Sequence, residues 1–437
     1  MLTELWLSPS PITKILLVFT AILLLNRFRL PLGIALIAGG VIIDLWTGKN
    51  WTVVLSDFGS GLGKPEFWLL IFNIVLILEF GYFMTSGPNS KVIGSLAQRL
   101  GGRYGRIISL VFLPAAIGMV PMPGGALFSA PLVEEAAKGR AVSEEWKASV
   151  NYWFRHILEY WWPLYPVVIV TLSVFDLKTY QFFLLMAPFT LVSLFAGWLF
   201  LLRGNAHLLL DQVNGKKVKH SGGVVRVLLP ISIVVLCTLV LPGFIDSFVP
   251  DTSATLDNLL GMLVGLVISL VMIGVWIANS SERRLFADLF SAKTAGVVVT
   301  LGGVLIFQFF LESSGLLPAA GDQLAHSAVP PELIIAFLPF LAGLVTGIAI
   351  GFAGPAFPLV VGIVDNLGTL SQGSALVLAF SMGYVGMMLS PVHLCYVLTR
   401  RYFHVSLLAT YKYIVPCLVV VMIYGVGAYC FLNLVGW

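Results

Sequence analysis

Long apolar runs alternate with short charged segments from one end of the chain to the other. A helix that crosses a bilayer needs about 20 predominantly apolar residues. By that measure the chain predicts ten spans, at 13–26, 31–46, 67–85, 148–174, 180–202, 224–247, 257–278, 296–313, 374–399 and 407–433. Two further apolar stretches, 105–137 and 331–365, are too long for one helix and are interrupted by Gly and Pro, as PMPGGALFSAP at 121–131 and GFAGPAFP at 351–358. In hydrocarbon an unpaired backbone N–H or C=O costs several kcal/mol, so irregular backbone is tolerated only where protein buries it or where it lines a watery cavity. Each stretch is expected to form a re-entrant hairpin that enters and leaves on one side. The tips are expected at Pro121–Gly125 and Phe352–Pro355. Paired interruptions in corresponding places of two halves are the sequence signature of a transporter site at mid-membrane.

Composition agrees with this pattern. Of 437 residues, 58% are hydrophobic and 11% charged, with mean hydropathy +0.97, where a soluble chain carries about 25% charged residues. The fold class is therefore an all-α polytopic membrane protein. The net charge of +4 reflects topology and gives no reason to invoke nucleic acid. With ten spans, two hairpins and both termini extracytoplasmic, 19 of the 25 basic residues fall in cytoplasmic segments, as the positive-inside rule requires. The outer segments hold only Lys14, Lys49, Lys64 and Lys178. Hairpin one is flanked by cytoplasmic basic residues and hairpin two is not, so the two enter from opposite faces. The start of the chain, with Glu4 and only Lys14 before the first apolar run, is a poor signal peptide and reads as a retained span in the cell (inner or plasma) membrane.

Chemistry of other classes is missing. There is no HExxH, GxSxG or P-loop pattern, so no enzyme is expected. Cys237, Cys395, Cys417 and Cys430 lie in apolar runs with neither a CxxC pair nor a histidine at ligand spacing. They read as small interior residues; no metal and no cofactor are expected.

The halves align on their punctuation. Ser86-Gly87 matches Ser314-Gly315 and Pro163 matches Pro391 at an offset of 228, and Phe128 matches Phe357 at 229. Residues 1–203 form a first repeat of five spans with hairpin 105–137. Residues 227–437 form a second with hairpin 331–365, and the polar segment 204–226 links them on the cytoplasmic side. Because five is odd, the second repeat is inserted upside down.

Four breaks are expected to converge near the midplane: the two hairpin tips and two Pro-interrupted helices at 162–166 and 389–393. The candidate substrate site comprises Pro121, Pro123, Gly124, Gly125, Ser129, Arg155, Pro163, Tyr165, Gly354, Pro355, Ser390, Pro391 and His393. Helix N-termini beginning near Gly125 and Pro355 suit an anion, because they present free N–H groups and the positive end of the helix dipole. Asn151–Glu159 is the most polar stretch on any span. Arg155 and Glu159 share a helix face, so Arg155 reads either as an anion ligand or as the partner of Glu159. Glu79, His156 and Glu159 are candidates for ion coupling, since ionisable groups within the membrane are costly and tend to be functional. Asn366 is a weaker candidate, and Gly343, Gly347 and Gly351 read as a helix-packing stripe.

A hairpin followed by a broken helix, repeated upside down, resembles the ion-transporter superfamily, which includes dicarboxylate/sodium symporters and gluconate and citrate permeases. PMPGGALFSAPLVEEA (121–136), NYWFRHILEYWWPLYP (151–166) and GFAGPAFPLVVGI (351–363) are most similar to a ten-span bacterial and archaeal family known only as domain-of-unknown-function family 401. The resemblance implies elevator-type transport by a homodimer, with hairpins and broken helices in the moving part. Sodium-coupled dicarboxylate members carry a Ser-Asn-Thr run at each tip, which Pro121–Gly125 and Phe352–Pro355 lack. The expected function is secondary transport of a small anionic solute, with a carboxylate favoured and H+ preferred over Na+ as coupling ion. A sodium symporter, the membrane subunit of a binding-protein-dependent carrier and an anion channel stay open as alternatives.

Overall fold

The computed structural model describes residues 9–85, 104–119, 125–209, 224–249, 253–277, 292–326, 329–368 and 370–437. Pro121, Pro123, Gly124 and most of the 204–226 linker lie outside the described residues. The described chain runs α1 Pro11–Arg27, α2 Leu32–Trp46, α3 Trp51–Gly63, α4 Pro65–Thr85, α5 Gly105–Gly118, α6 Ala126–Ala137, α7 Glu144–Arg155 and α8 Pro166–Phe175. It continues with α9 Thr179–Leu209, which contains a π turn at Trp198–Leu202, then α10 Val224–Phe248, α11 Ala254–Ile277, α12 Ala292–Ser313 and α13 Leu316–Ala325. The last elements are α14 Pro331–Thr346, α15 Ala349–Leu367, α16 Gln372–Leu389, α17 Leu394–Tyr402 and α18 Leu407–Val435.

A helix, or a helix broken in two, occupies each of the ten expected spans. Among the described residues seven helices are long and apolar enough to cross a membrane, or eight when α3 and α4, bent by 56°, are taken together. The protein is thus a multi-pass membrane protein. Two helices escaped the apolar pattern. α3 carries Ser56, Asp57 and Ser60 along its length and starts on an Asn50 side-chain cap that accepts from Val53 N at 3.0 Å. α13 is only 10 residues long.

The element order recurs: hairpin α5–α6 then broken helix α7–α8, and hairpin α14–α15 then broken helix α16–α17. Glu144 and Gln372 start the first limbs of the broken helices, and Pro166 and Leu394 the second limbs, 228 residues apart in both cases. In hairpin one α5 ends at Gly118 and α6 begins at Ala126; its expected tip, Pro121–Gly125, lies outside the described residues apart from Gly125. Hairpin two turns at Gly347-Ile348, not at Phe352–Pro355. Gly347 takes a left-handed conformation (φ +65) and its N–H closes α14 on the Gly343 carbonyl at 2.8 Å. Gly354 and Pro355 lie buried inside α15. That helix continues through Pro355 and Pro358 because the carbonyls four residues back belong to Gly351 and Gly354, whose bare backbone yields to the proline ring.

The interior is organised around the second broken helix. In the α16–α17 span 83% of the most apolar stretch is buried, against 22% for α10, whose Leu236, Val240 and Phe244 are exposed. α14 lies directly along α16: a Cβ on Gly386 would fall 2.0 Å from the Phe340 carbonyl oxygen, and one on Gly343 2.4 Å from that of Gly383. α2 meets α12 in the same way, with a Cβ on Gly33 falling 1.9 Å from the Val299 oxygen. Small residues let backbones approach where lipid offers no hydrophobic drive. Polar links also join distant segments. Lys49 Nζ bonds Asp44 (2.8 Å), Asp57 (2.7 Å) and Ser313 Oγ (3.0 Å), and Gln323 bonds Ser10 Oγ (2.8 Å) and Ile12 N (3.1 Å).

Candidate functional site

Breaking a helix inside a protein strands carbonyls, and here aromatic side chains satisfy them. α16 ends at Leu389 because Pro391 supplies no N–H and disfavours helix at Ser390. Tyr152 OH donates to Met388 O (3.0 Å) and Tyr411 OH to Leu389 O (2.7 Å). α5 ends at Gly118, whose carbonyl accepts from Tyr165 OH; Trp162 Nε1 donates to the next carbonyl, Met119 O, at 2.9 Å. α7 starts on Ser143, whose side chain accepts from Trp146 N at 3.3 Å, and stops at Arg155. Beyond it, Tyr384 OH donates to His156 O (3.2 Å) and Thr190 Oγ1 to Ile157 O (2.6 Å). The first break therefore begins at His156, earlier than the expected 162–166, and the second, Ser390–His393, falls within the expected 389–393.

Glycines of each hairpin pack on a break. A Cβ on Gly118 would fall 2.1 Å from Arg155 O, and one on Gly125 2.2 Å from Arg155 Nη2. The guanidinium therefore lies against the bare backbone that opens α6. A Cβ on Gly347 would fall 2.8 Å from His393 N and 2.9 Å from Ser390 Oγ. Four helices begin around these contacts: α6 after Gly125, α8 after Tyr165, α15 after Ile348 and α17 after His393. Their first N–H groups and dipoles add positive potential to that of Arg155.

The two breaks also meet each other. His156 and His393 approach Nε2 to Nε2 at 3.1 Å, although 237 residues separate them. Both are buried, as are Arg155, Ser390 and Tyr165. Glu159 Oε1 lies 4.0 Å from His156 Nε2. Cys395 completes the cluster, its sulfur and one nitrogen of each imidazole all lying within 4.8 Å of one another. Pro391, Val392 and Leu394 on the same break are exposed, so the cluster borders an open face.

The candidates thus divide. Gly125, Arg155, Tyr165, Ser390 and His393 come together with His156 and Glu159. Pro163 is buried in the first break, and Pro391 forms the second. Ser129 is buried in α6 and donates to Ala126 O at 3.3 Å within its own helix. Gly354 packs on Val304 of α12. Asn366 donates to Gly362 O at 2.7 Å within α15. Glu79 is buried in α4, which packs chiefly on α11 and α12. Cys395, expected to be a small interior residue with no histidine at ligand spacing, is brought beside His156 and His393 by the fold. Those residues are scattered in sequence, and only His393-Leu-Cys395 hinted at them. Gly118, Tyr152, Gly347 and Tyr384 were also missed; the hydroxyl–carbonyl bonds that recruit the tyrosines have no sequence period.

Comparison with known proteins agrees with this architecture. The fold matches the crystal structure of the YdaH transporter of Alcanivorax borkumensis, described as having an unusual topology, with TM-score 0.55 and 14% identity over 89% of this chain and 88% of that one. No curated protein matches the chain in sequence. The model of the family described as "Protein of unknown function (DUF401)" matches residues 12–432. On that nearly full-length match the chain belongs to the DUF401 family.

Proposed function

We propose that the protein is a secondary active transporter that moves a small anionic solute, with a carboxylate as the favoured class, across the cell membrane. The observation that carries this reading is the placement of the buried Arg155 guanidinium against the bare backbone that opens α6, next to the point where the two helix breaks meet. A guanidinium offers a carboxylate paired, charge-assisted hydrogen bonds, and helix N-termini favour the same charge. Irregular backbone at such a junction is what carriers use to bind solute and coupling ion. The fold shared with a transporter supports the reading.

The two halves act as inverted repeats, with all ten expected spans crossing and both termini extracytoplasmic. The hairpins move with the broken helices in an elevator-type cycle within a homodimer. Glu159 carries the coupling proton at the edge of the His156–His393 pair, and neither enzyme chemistry nor an organic cofactor is involved. Glu79 lies apart, with a structural role.

A stability screen of the purified protein against small carboxylates and inorganic anions, with sodium and pH varied, tests this. A ligand at 100 times its Kd stabilises by about 2.7 kcal/mol. Expected is a carboxylate that raises the unfolding midpoint without sodium and loses that effect in Arg155→Gln. Stabilisation by anions that persists in Arg155→Gln would remove the site. Stabilisation by cations alone would remove the anion.

A further inference from the structure

We propose that His156, His393 and Cys395 form a binding site for one zinc-class divalent cation, with Glu159 at its edge. This stands independently of the transported solute.

The argument begins with protons. His156 Nδ1 lies 2.6 Å from the Tyr152 carbonyl oxygen. A carbonyl only accepts, so Nδ1 carries the hydrogen and, in the neutral ring, Nε2 holds a lone pair. Histidine ligands of metals are oriented by such a bond from the other ring nitrogen. The lone pair of His156 Nε2 points at His393 Nε2, 3.1 Å away. In the metal-free neutral pair, His393 therefore donates its Nε2–H to His156. Its Nδ1 is then left unprotonated, buried and without a hydrogen-bond partner among the described residues. A buried acceptor with no partner is costly, and a pair joined in this way has no intrinsic need of a thiol beside it.

A cation between the two Nε2 atoms gives the thiol a role and replaces the single imidazole–imidazole bond with ligation of both rings. Two nitrogens on one tetrahedral zinc, at about 2.0–2.1 Å each, sit about 3.3 Å apart, and a thiolate sulfur at about 2.3 Å sits about 3.6 Å from either. The imidazole nitrogens already meet that spacing, and the sulfur lies within 4.8 Å. On binding, the His393 proton moves from Nε2 to Nδ1, and the Cys395 thiol releases its proton to solvent. Two imidazoles and a thiolate select zinc or its borderline neighbours over magnesium or calcium.

Charge sets the terms of binding. Arg155 and the surrounding helix N-termini oppose a bare dication. The Cys395 thiolate supplies one negative charge, and the Glu159 carboxylate, 4.0 Å from His156 Nε2, supplies the second. Three protein ligands leave the fourth position to Glu159 or to water. The other thiols are unlike this one: Cys417 is buried against the carbonyls of Ala196 and Tyr413, and Cys430 is exposed.

The test is metal binding by the full chain, purified in detergent and stripped with a chelator. Equilibrium dialysis against Zn2+ is expected to give one ion per chain. His393→Gln and Cys395→Ser are each expected to lower affinity at least tenfold, while Cys417→Ser leaves it unchanged. Co2+ loaded into the wild type reports the ligand directly, through a thiolate-to-cobalt charge-transfer band absent from Cys395→Ser. No bound zinc in the wild type would overturn the site. So would zinc whose affinity survives both substitutions, or loaded cobalt without a thiolate band, whatever the variants do. Because none of these readouts uses transport or anion binding, the outcome is separate from that of the solute screen.

Discussion

Gly347 is the single position at which the second hairpin turns and at which it touches the second break, so replacing it with alanine tests two forces at once. The first is conformational. An L-residue in the left-handed region costs about 1–2 kcal/mol, and Gly347 sits at φ +65. The second is steric. The new Cβ would lie 2.8 Å from His393 N, 2.9 Å from Ser390 Oγ and 3.0 Å from His393 Cα. Two of these atoms are backbone, so relief requires moving the break, and overpacking of this kind costs about 1–3 kcal/mol. Gly368→Ala separates the terms, because Gly368 has φ +62 with no neighbouring atom within 4 Å of its added Cβ. Unfolding of both variants by denaturing detergent in mixed micelles is expected to show a loss of about 1–2 kcal/mol for Gly368→Ala and a further ~1–3 kcal/mol for Gly347→Ala. Only Gly347→Ala is expected to reduce solute uptake into proteoliposomes. Equal losses in the two variants would refute the docking of the tip on the break.

At the other hairpin, Gly125→Val pushes the flexible end of Arg155 away, since a Cβ there falls 2.2 Å from Nη2. The melting midpoint should change little, while anion affinity falls about 10- to 100-fold, the equivalent of charged hydrogen bonds worth about 1.5–3 kcal/mol; calorimetric titration reads it. Gly33→Ala places a Cβ 1.9 Å from the Val299 carbonyl oxygen. It should lower stability by about 1–3 kcal/mol and reduce yield, with anion Kd unchanged in the folded fraction. The surface pair Lys178–Asp246 (2.8 Å) raises the Lys178 pKa through its hydrogen bond. A raised lysine contributes fully below its unfolded pKa and loses that contribution as pH rises through the folded one. Lys178→Ala should therefore lower stability only slightly, as for any exposed pair, by an amount that does not change with pH between 6 and 9. The difference from wild type should be constant over that range and fade only as pH rises through and above the ordinary lysine range.

The sequence showed the framework because hydrocarbon demands long apolar helices, and those leave a plain record. It marked the second break through Pro391 and the first through Pro163 and Pro166, yet not the start of the first at His156. There α7 ends in a run without proline, and what holds the opened backbone is Tyr384 from 228 residues away. It misplaced the second tip because GFAGPAFP has the composition of a turn. The turn itself needed only Gly347, whose positive φ nothing in its neighbours announces. Arg155, His156, Glu159 and His393 were legible as polar residues in apolar surroundings. Their meeting with Cys395 was not, since a cysteine in an apolar run looks the same whether inert or paired.

The contacts of the N-terminal helices carry a consequence for biosynthesis. The glycine face of α2 and the side chain of Lys49 find their partners on α12, and Ser10 and Ile12 find theirs on α13. Those partners emerge from the ribosome some 260–310 residues later, a delay of about 15–60 s at typical rates of synthesis. Until then the first helices wait in lipid with their closest packing surface uncovered. The first helices therefore cannot finish packing until the later half of the chain has been made. The opening of the chain is among the last parts to be locked in place, so errors late in translation are felt at its very beginning.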